Sequence, residues 1–240
     1  SLCIVLALAA CGTENSSQIP YRFADKTEGQ ELLLSNTEYY DGLTENDLQF
    51  RLQSKDATLE EQMAFAKDQV MDFSDEQKAM LSETMDRLKG IIEEKGYQLP
   101  PLDEITFICT TMKDECDASA YTHGTQIYID GKFIDSCRGD SEKETAFLYV
   151  MAHELFHCLT RCNPDFRADM YQLIHFTVQG EEYKLPPSLL EYYISNPDVE
   201  HHDAYAAFEI DGEKIDCYLA FATREHFRKK GDSFFDTGTA

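Results

Sequence analysis

The feature that most constrains the fold is a long apolar segment that begins at Ser141 and ends near Cys162. Ser141 and Glu144 have the spacing of a helix-capping pair, and apolar side chains follow at intervals typical of a buried helix. Pro164 ends this helix, because the residue before a proline disfavours helical geometry. A buried helix of about six turns needs other elements to cover it, so a domain with a sizeable core is expected.

Two imidazoles and a carboxylate interrupt this apolar helix at His153, Glu154 and His157. Spacing of four residues places both imidazoles on one helix face, where they can reach the same cation. Zn²⁺ accepts imidazole nitrogen and acidifies a bound water, whose proton a neighbouring carboxylate can take. Such groups are costly in an apolar helix unless they are paired or coordinated. The pattern predicts His153 and His157 as zinc ligands and Glu154 as general base.

The residues around the motif carry a family resemblance. VMAHELFHCL, residues 150–159, resembles the extended zinc-binding signature of the zincin metallopeptidases, and the resemblance covers roughly Ile105 to Ile174. It implies Zn²⁺ as cofactor, a peptide or protein substrate, and a mixed sheet that precedes the active-site helix. It also implies an edge strand that pairs with the bound peptide, and Gln126–Ile129 is similar in placement to that strand.

The sequence offers several candidates for the third zinc ligand. The metzincin subgroup would need Gly at Thr160 and His or Asp at Asn163, so the resemblance favours a gluzincin-like arrangement with a downstream glutamate. The cluster Glu200-His201-His202-Asp203 is the most ligand-like in composition, and a ligand beyond Ala240 is the alternative. The other candidates are Asp169, His175, Glu181, Glu182 and Glu191.

The remaining elements predict an α+β fold, with a zincin-like mixed sheet packed on the active-site helix and with preceding N-terminal helices. Capping pairs at Thr58 and Ser74 begin two helical patterns. A β-branched strand follows at Ile105–Thr111, and Asp130-Gly131 predicts a hairpin between Gln126–Ile129 and Lys132–Asp135. A second hairpin is expected at residues 204–210 and 213–221 around Asp211-Gly212.

The N-terminal segment predicts a membrane anchor. Residues 1–10 form an uncharged apolar run that indicates part of a signal peptide, and Leu8-Ala9-Ala10-Cys11 resembles the bacterial lipobox, in which the cysteine is lipidated. The alternative is a buried apolar strand with a free cysteine. We expect residues 11–57 to be a lipid-anchored tether and an irregular acidic segment. Residues 58–240 are the expected metallopeptidase domain, incomplete at its C-terminus.

Charge and cysteine content limit the partners and the compartment. The chain carries 45 acidic against 21 basic side chains, a net charge of -24, so nucleic acid is an unfavourable partner. A lipidated Cys11 would face outside the cytoplasm, at the cell surface or in the periplasm, where disulfides are permitted. Disulfides and reduced thiols both remain open for the six cysteines at 109, 116, 137, 158, 162 and 217.

The leading hypothesis is a membrane-anchored, extracytoplasmic zinc-dependent peptidase that uses a zinc-activated water. One alternative is a catalytically silent zinc-binding surface lipoprotein, whose zinc would have closed coordination. Another is a zinc hydrolase of a non-peptide amide or ester, because the same water chemistry serves those bonds.

Overall fold

A mixed sheet with helices on both faces forms the centre of the protein, which a computed structural model describes from residue 19 to residue 233. The α+β prediction is confirmed. The strands are β1 (Tyr21–Phe23), β2 (Val70–Met71), β3 (Ile105–Thr110), β4 (Ala120–His123), β5 (Gln126–Asp130), β6 (Phe176–Val178), β7 (Ala204–Ile210) and β8 (Glu213–Tyr218). The helices are α1 (Lys26–Ser35), α2 (Thr37–Asp41), α3 (Glu45–Leu52), α4 (Leu59–Gln69), α5 (Asp75–Lys95), α6 (Gly131–Cys137), α7 (Ser141–Cys162), α8 (Pro164–Leu173) and α9 (Pro187–Leu190).

Strand β3 lies at the centre of the five-stranded sheet, and all six of its residues are buried. β1 and β5 run parallel to it on opposite sides, β2 pairs antiparallel with its far end, and β4 closes the sheet as an antiparallel neighbour of β5. Both faces of β3 are covered, which explains why it is made of apolar side chains and two buried threonines. One face packs against α5, α6 and α7, and the other packs against α1, α2 and α4.

Helix α7 has the predicted bounds, Ser141 to Cys162. Its N-cap is Asp140, whose carboxylate accepts from the backbone N–H groups of Glu142 and Lys143. The predicted capping residue was therefore wrong by one position. The apolar face of α7 joins the core that β3 and β5 also line, and the helix contacts β4. The sheet thus holds the predicted motif helix against its edge strand.

The segment from Ile19 to Lys55, predicted to be irregular, is folded, and that prediction was wrong. It contains β1 and the helices α1, α2 and α3. Gly29 allows α1 to pack directly on the sheet, because a Cβ there would lie 3.0 Å from methyl groups of Ile108 and Val70. These helices are too short to show a sustained apolar period, so packing rather than propensity holds them.

The predicted hairpin at Asp130-Gly131 was also wrong. Asp130 ends β5 and caps α6, its carboxylate accepting from the N–H of Lys132 at 2.9 Å. The true hairpin joins β4 to β5 through Gly124, which has a φ of +55°. The edge strand is therefore β4 rather than Gln126–Ile129, which lies inside the sheet.

A second, three-stranded sheet follows the first along the chain. β7 and β8 form the hairpin predicted around Asp211-Gly212, although β8 ends at Tyr218, and β6 pairs with the free side of β7. The six cysteines in the described range are all unpaired. The proposed signal peptide and Cys11 lie outside the described residues. Between residues 19 and 233, no helix is both long enough and apolar enough to cross a membrane.

Candidate metal centre

Helix α7 brings its two predicted ligands together. The Nε2 atoms of His153 and His157 lie 2.9 Å apart, and the two rings are nearly perpendicular at 86°. His153 is exposed and His157 is half-buried. Spacing of one helical turn gives this arrangement directly, because residues four apart lie one above the other. Both nitrogens therefore face a common point on the open side of the helix.

Asp198, in the loop after Asn196-Pro197, supplies a third donor at this point. Its Oδ2 lies 3.8 Å from Nε2 of His157, and one donor atom from each of the three side chains lies within 4.8 Å of the others. Tetrahedral zinc with bonds of 2.0–2.1 Å holds its ligand atoms about 3.3 Å apart. The His–His–Asp donor set thus suits zinc in its chemistry, and two of its separations, 2.9 Å and 3.8 Å, lie on either side of this value.

Contacts from two other elements fix Asp198. Its Oδ1 accepts from the backbone N–H of Thr122 on β4 at 2.9 Å. Arg161, one turn beyond His157 on α7, donates from its guanidinium to the Asp198 carbonyl at 2.9 Å. One carboxylate oxygen is therefore held by the edge strand, and the other is left towards the histidines.

Glu154 lies beside the histidines and is 2% exposed. Its Oε2 accepts from the Thr122 hydroxyl at 2.6 Å. Burial raises the pKa of Glu154 above its ordinary value, the charge of Asp198 raises it further, and the Thr122 bond opposes that shift. A cation between these carboxylates would favour their ionised forms, and an ionised Glu154 can accept a proton.

His157 is held in the neutral form that binds metals. Its pKa is lowered to about 3, mainly by burial and also by the positive charge of Arg161 and by the neighbouring His153. A neutral imidazole has a free lone pair at ordinary pH, so no proton has to leave before a cation binds.

The predicted third-ligand cluster has other partners. Glu200 accepts from the N–H of Gly124 and from Nε of Arg161, each at 2.9 Å. His201 bonds Glu182 at 2.6 Å, and His202 bonds the Tyr193 hydroxyl at 2.8 Å. The structure brings none of the sequence-based candidates to the histidine pair. The remaining ones are Asp203, which pairs with Arg167, Glu191, which lies near His226, and Asp169, His175 and Glu181, which are exposed.

Sequence reasoning missed Asp198 because it stands in a loop, where no periodicity marks its direction. The one available signal was the Asn196-Pro197 turn directly before it, since such turns fix the course of the following residues. The acidic and histidine-rich residues that follow drew the prediction instead. Their side chains hold the loop in place, while Asp198 points to the site.

A pocket of about 220 Å³ adjoins Asp198. Arg51 and Glu115 also line it, and they form an ion pair of 2.8 Å in which both side chains are 5% exposed or less. The rest of the wall is largely apolar, since it includes Ala118, Ala120, Tyr121, Ile194, Phe221 and Ala222.

The Arg51 guanidinium joins the N-terminal helices to the loop that carries Asp198. Besides Glu115, it bonds Asp47 at 2.7 Å and the Ser195 carbonyl at 2.9 Å. Asp47 in turn accepts from the N–H of Ser195 at 2.8 Å and from its hydroxyl at 3.0 Å. Asp47 and Arg51 of α3 thus fix the position of Ser195, three residues before Asp198.

No protein-family model matches the chain, and no match appears among the curated proteins or the solved structures with which it was compared. The side chains of the site and the sequence of α7 are therefore the features from which a function can be proposed.

Proposed function

We propose that the protein is a zinc-dependent peptidase of the zincin type that hydrolyses peptide bonds. One observation carries the proposal: His153, His157 and Asp198 converge on one point, with Glu154 held beside them. Burying a carboxylate beside two imidazoles on an apolar helix is costly, and groups perturbed in this way cluster at functional sites. The aspartate takes the place of the glutamate expected in a gluzincin-like arrangement.

The three converging side chains would hold the metal through Nε2 of His153, Nε2 of His157 and Oδ2 of Asp198. Three protein ligands leave a fourth position open, as in catalytic rather than structural zinc sites. Zinc, when bound, acidifies a coordinated water towards a pKa of about 7 and polarises the substrate carbonyl.

Glu154 is the proton carrier in this mechanism. Thr122 holds Oε2, so Oε1 is the oxygen that takes the proton from water. The water oxygen bonds to the carbonyl carbon, the carbon–nitrogen bond breaks, and Glu154 returns the proton to the departing amine. Thr122 keeps the carboxylate oriented throughout, because its own side chain is fully buried.

The fold around the site supports the zincin assignment. The edge strand β4 runs antiparallel to its neighbour and places Thr122 in contact with Glu154. An edge strand beside the active-site helix is the arrangement that the resemblance implies for peptide binding. The pocket next to Asp198 lies at the same edge, where a substrate side chain would enter.

The proposed location is the outer face of a bacterial membrane, reached through a lipid on Cys11. The lipobox-like residues 8–11 carry this part of the proposal. Metabolic labelling with a fatty acid in a bacterial host tests it. We expect the wild-type chain to take up label and to partition with membranes, and Cys11→Ser to do neither. Equal labelling of both chains would contradict the anchor.

Zinc content and peptide hydrolysis, measured on the same preparations, test the catalytic proposal. We expect Glu154→Gln to keep zinc and lose hydrolysis, and His157→Ala to lose both. His201→Ala is the matched control, because it removes an exposed imidazole outside the site, and we expect it to keep both. Zinc without hydrolysis of any peptide would favour the silent lipoprotein, or the ester or amide hydrolase if such substrates are cleaved. Absence of zinc from the wild type would contradict the site.

A further inference from the structure

The hydrogen-bonding pattern of β4 shows which of its backbone groups face outward. The N–H of Asp130 on β5 donates to the Ser119 carbonyl, so these two residues form a hydrogen-bonded pair. In an antiparallel ladder every second pair is hydrogen-bonded, and the next such pairs are Tyr121 with Tyr128 and His123 with Gln126. Tyr121 and His123 therefore bond towards β5. The backbone groups of Ala120 and Thr122 face away from the sheet, at the edge that a substrate chain would have to join.

Part of this edge is already occupied by the protein itself. The outward N–H of Thr122 donates to Asp198, and the N–H of Gly124, two residues on, donates to Glu200, each at 2.9 Å. The acceptors Asp198 and Glu200 are also two residues apart, so the loop matches the spacing of the outward N–H groups on the strand. The side chains of this loop fill the positions that an added strand would take.

Arg161 fastens this loop to α7. Its guanidinium bonds the Asp198 carbonyl and the Glu200 carboxylate, each at 2.9 Å, and its side chain is 9% exposed. A buried, charge-assisted double contact of this kind is among the stronger polar interactions in proteins. The loop is therefore a fixed part of the edge rather than a cover that a substrate displaces.

Ala120 lies at the open half of the edge. Within residues 19–233, its N–H has no partner beyond the sheet, and the residue lines the pocket next to Asp198. The pocket volume of about 220 Å³ exceeds the 150 Å³ or so that is known to hold benzene in a protein interior. One aromatic or branched aliphatic side chain therefore fits there.

We infer that the site acts on the ends of short peptides that present one large apolar side chain, and not on the interior of an extended chain. The edge strand offers its backbone at Ala120 alone, and the adjoining pocket takes the one side chain. An extended substrate would need a row of free edge groups, and Asp198 and Glu200 have taken the next two. The inference rests on the proposed peptidase function and names its substrate class.

Matched peptides test the length preference in the zinc-loaded full chain. One set carries an apolar residue near a free end, and the other embeds the same residues in the middle of a long, end-blocked peptide. We expect kcat/KM to be about tenfold or more higher for the short set. Equal or faster cleavage of the long set would overturn the inference while leaving the peptidase proposal standing. No hydrolysis of either set would contradict both.

Ala120→Pro tests the edge contact directly. Proline is tolerated at the first position of an edge strand, and it removes only the outward N–H. We expect KM to rise about tenfold with zinc content and melting temperature retained. Ala120→Ser keeps the N–H and changes only the side chain, so we expect it to raise KM less than the proline variant does. An unchanged KM in the proline variant would overturn the role of Ala120.

Ala118→Phe tests the pocket. The added ring would occupy the space next to Ala120, so we expect the preferred residue to change from large to small apolar side chains, with zinc content unchanged. Ala207→Phe, on the exposed part of β7, is the control and should leave the preference as it was. A preference that does not respond to Ala118→Phe would overturn the assignment of this pocket.

Discussion

Thr122 donates a hydrogen bond to each of the two carboxylates of the site. Its hydroxyl holds Glu154, and its backbone N–H holds Asp198. The side-chain contact and the main-chain contact can be separated by mutation, because only the hydroxyl depends on the residue type. The proposed role of Thr122 in catalysis is therefore distinguishable from its proposed role in shaping the metal site.

We predict that Thr122→Val lowers kcat by about tenfold to a hundredfold, because a buried carboxylate oxygen loses its donor at a cost of about 1–3 kcal/mol. Zinc affinity should change little, since the backbone bond to Asp198 remains. Thr122→Ser should restore most of the rate. Steady-state kinetics and a zinc titration measure both effects. A valine variant with full kcat would show that Glu154 needs no such positioning.

Asp114 provides a prediction about stability and pH. It is 1% exposed, its Oδ1 has no partner within the described residues, and burial raises its pKa to about 7, with the charge of Glu115 acting in the same direction. The unfolded chain ionises near pH 3.8. The folded state therefore binds the proton more tightly, and its stability falls as pH rises from about 4 to about 7.

Asp114→Asn removes this titration. We therefore expect the unfolding free energy of the variant, minus that of the wild type, to be larger at pH 8 than at pH 5. The full effect is on the order of 4 kcal/mol at most. Urea unfolding of both chains at the two pH values measures it. The same difference in unfolding free energy at both values would mean that Asp114 is ionised throughout.

At the scale of the elements, close packing between α1 and the sheet depends on Gly29. A Cβ at this position would lie 3.0 Å from side-chain methyl groups of Val70 and Ile108, both fully buried. Helix propensity favours alanine over glycine by about 1 kcal/mol, whereas overpacking a core costs about 1–3 kcal/mol. The two effects oppose each other, and crowding is the larger.

We predict that Gly29→Ala destabilises the protein by about 1 kcal/mol. Gly90→Ala in α5 is the matched control, because a Cβ there meets nothing within 4 Å, and it should stabilise by about 0.5–1 kcal/mol. Denaturant midpoints give both values. If the two substitutions stabilise equally, the methyl groups around Gly29 move aside at no cost.

The elements also show what the sequence could predict. Helices α5 and α7 were predicted because each continues for at least 21 residues, long enough for an apolar stripe to recur. α1, α2 and α3 have at most 10 residues each, so no period distinguishes them from an acidic loop. Asp130-Gly131 was misread because the same dipeptide suits a hairpin turn and a helix start, and the packing of Gly131 against Cys109 favours the helix start here.

The candidate site divides in the same way. His153, Glu154 and His157 are a local motif, so their spacing alone placed them on one face. Asp198 joins them through tertiary contacts with Thr122 and Arg161, which no pattern in the sequence expresses. The residues that follow Asp198 include Glu200 and Asp203. Composition alone therefore does not indicate which of these carboxylates points to the histidines.

For the whole molecule, zinc binding should be linked to folding. The donors come from α7 and from a distant loop, so a bound ion would join parts of the chain that separate on unfolding. We predict that zinc at about 1,000 times its Kd adds about 4 kcal/mol of stability and raises the melting temperature. Asp198→Asn should lose most of that increment. Calorimetry with and without a chelator measures it.

Asp203→Asn is the control for that experiment. It removes a carboxylate of the same loop that pairs with Arg167 and takes no part in the donor set. We expect it to lower stability equally with and without zinc. An equal loss of the zinc increment in both variants would mean that the loop as a whole, and not Asp198, carries the effect.

The contacts of Arg51 decide where a working fragment of this protein can begin. A chain that begins at residue 58 would keep the three proposed metal donors and the whole of α7. The loop before Asp198 would, however, lose its contacts with Asp47 and Arg51. β3 would also lose its pairing with β1, and an unpaired strand edge of this kind can pair with another chain and cause aggregation. Anyone shortening this protein for crystals or assays should therefore retain the chain from Ile19 onward.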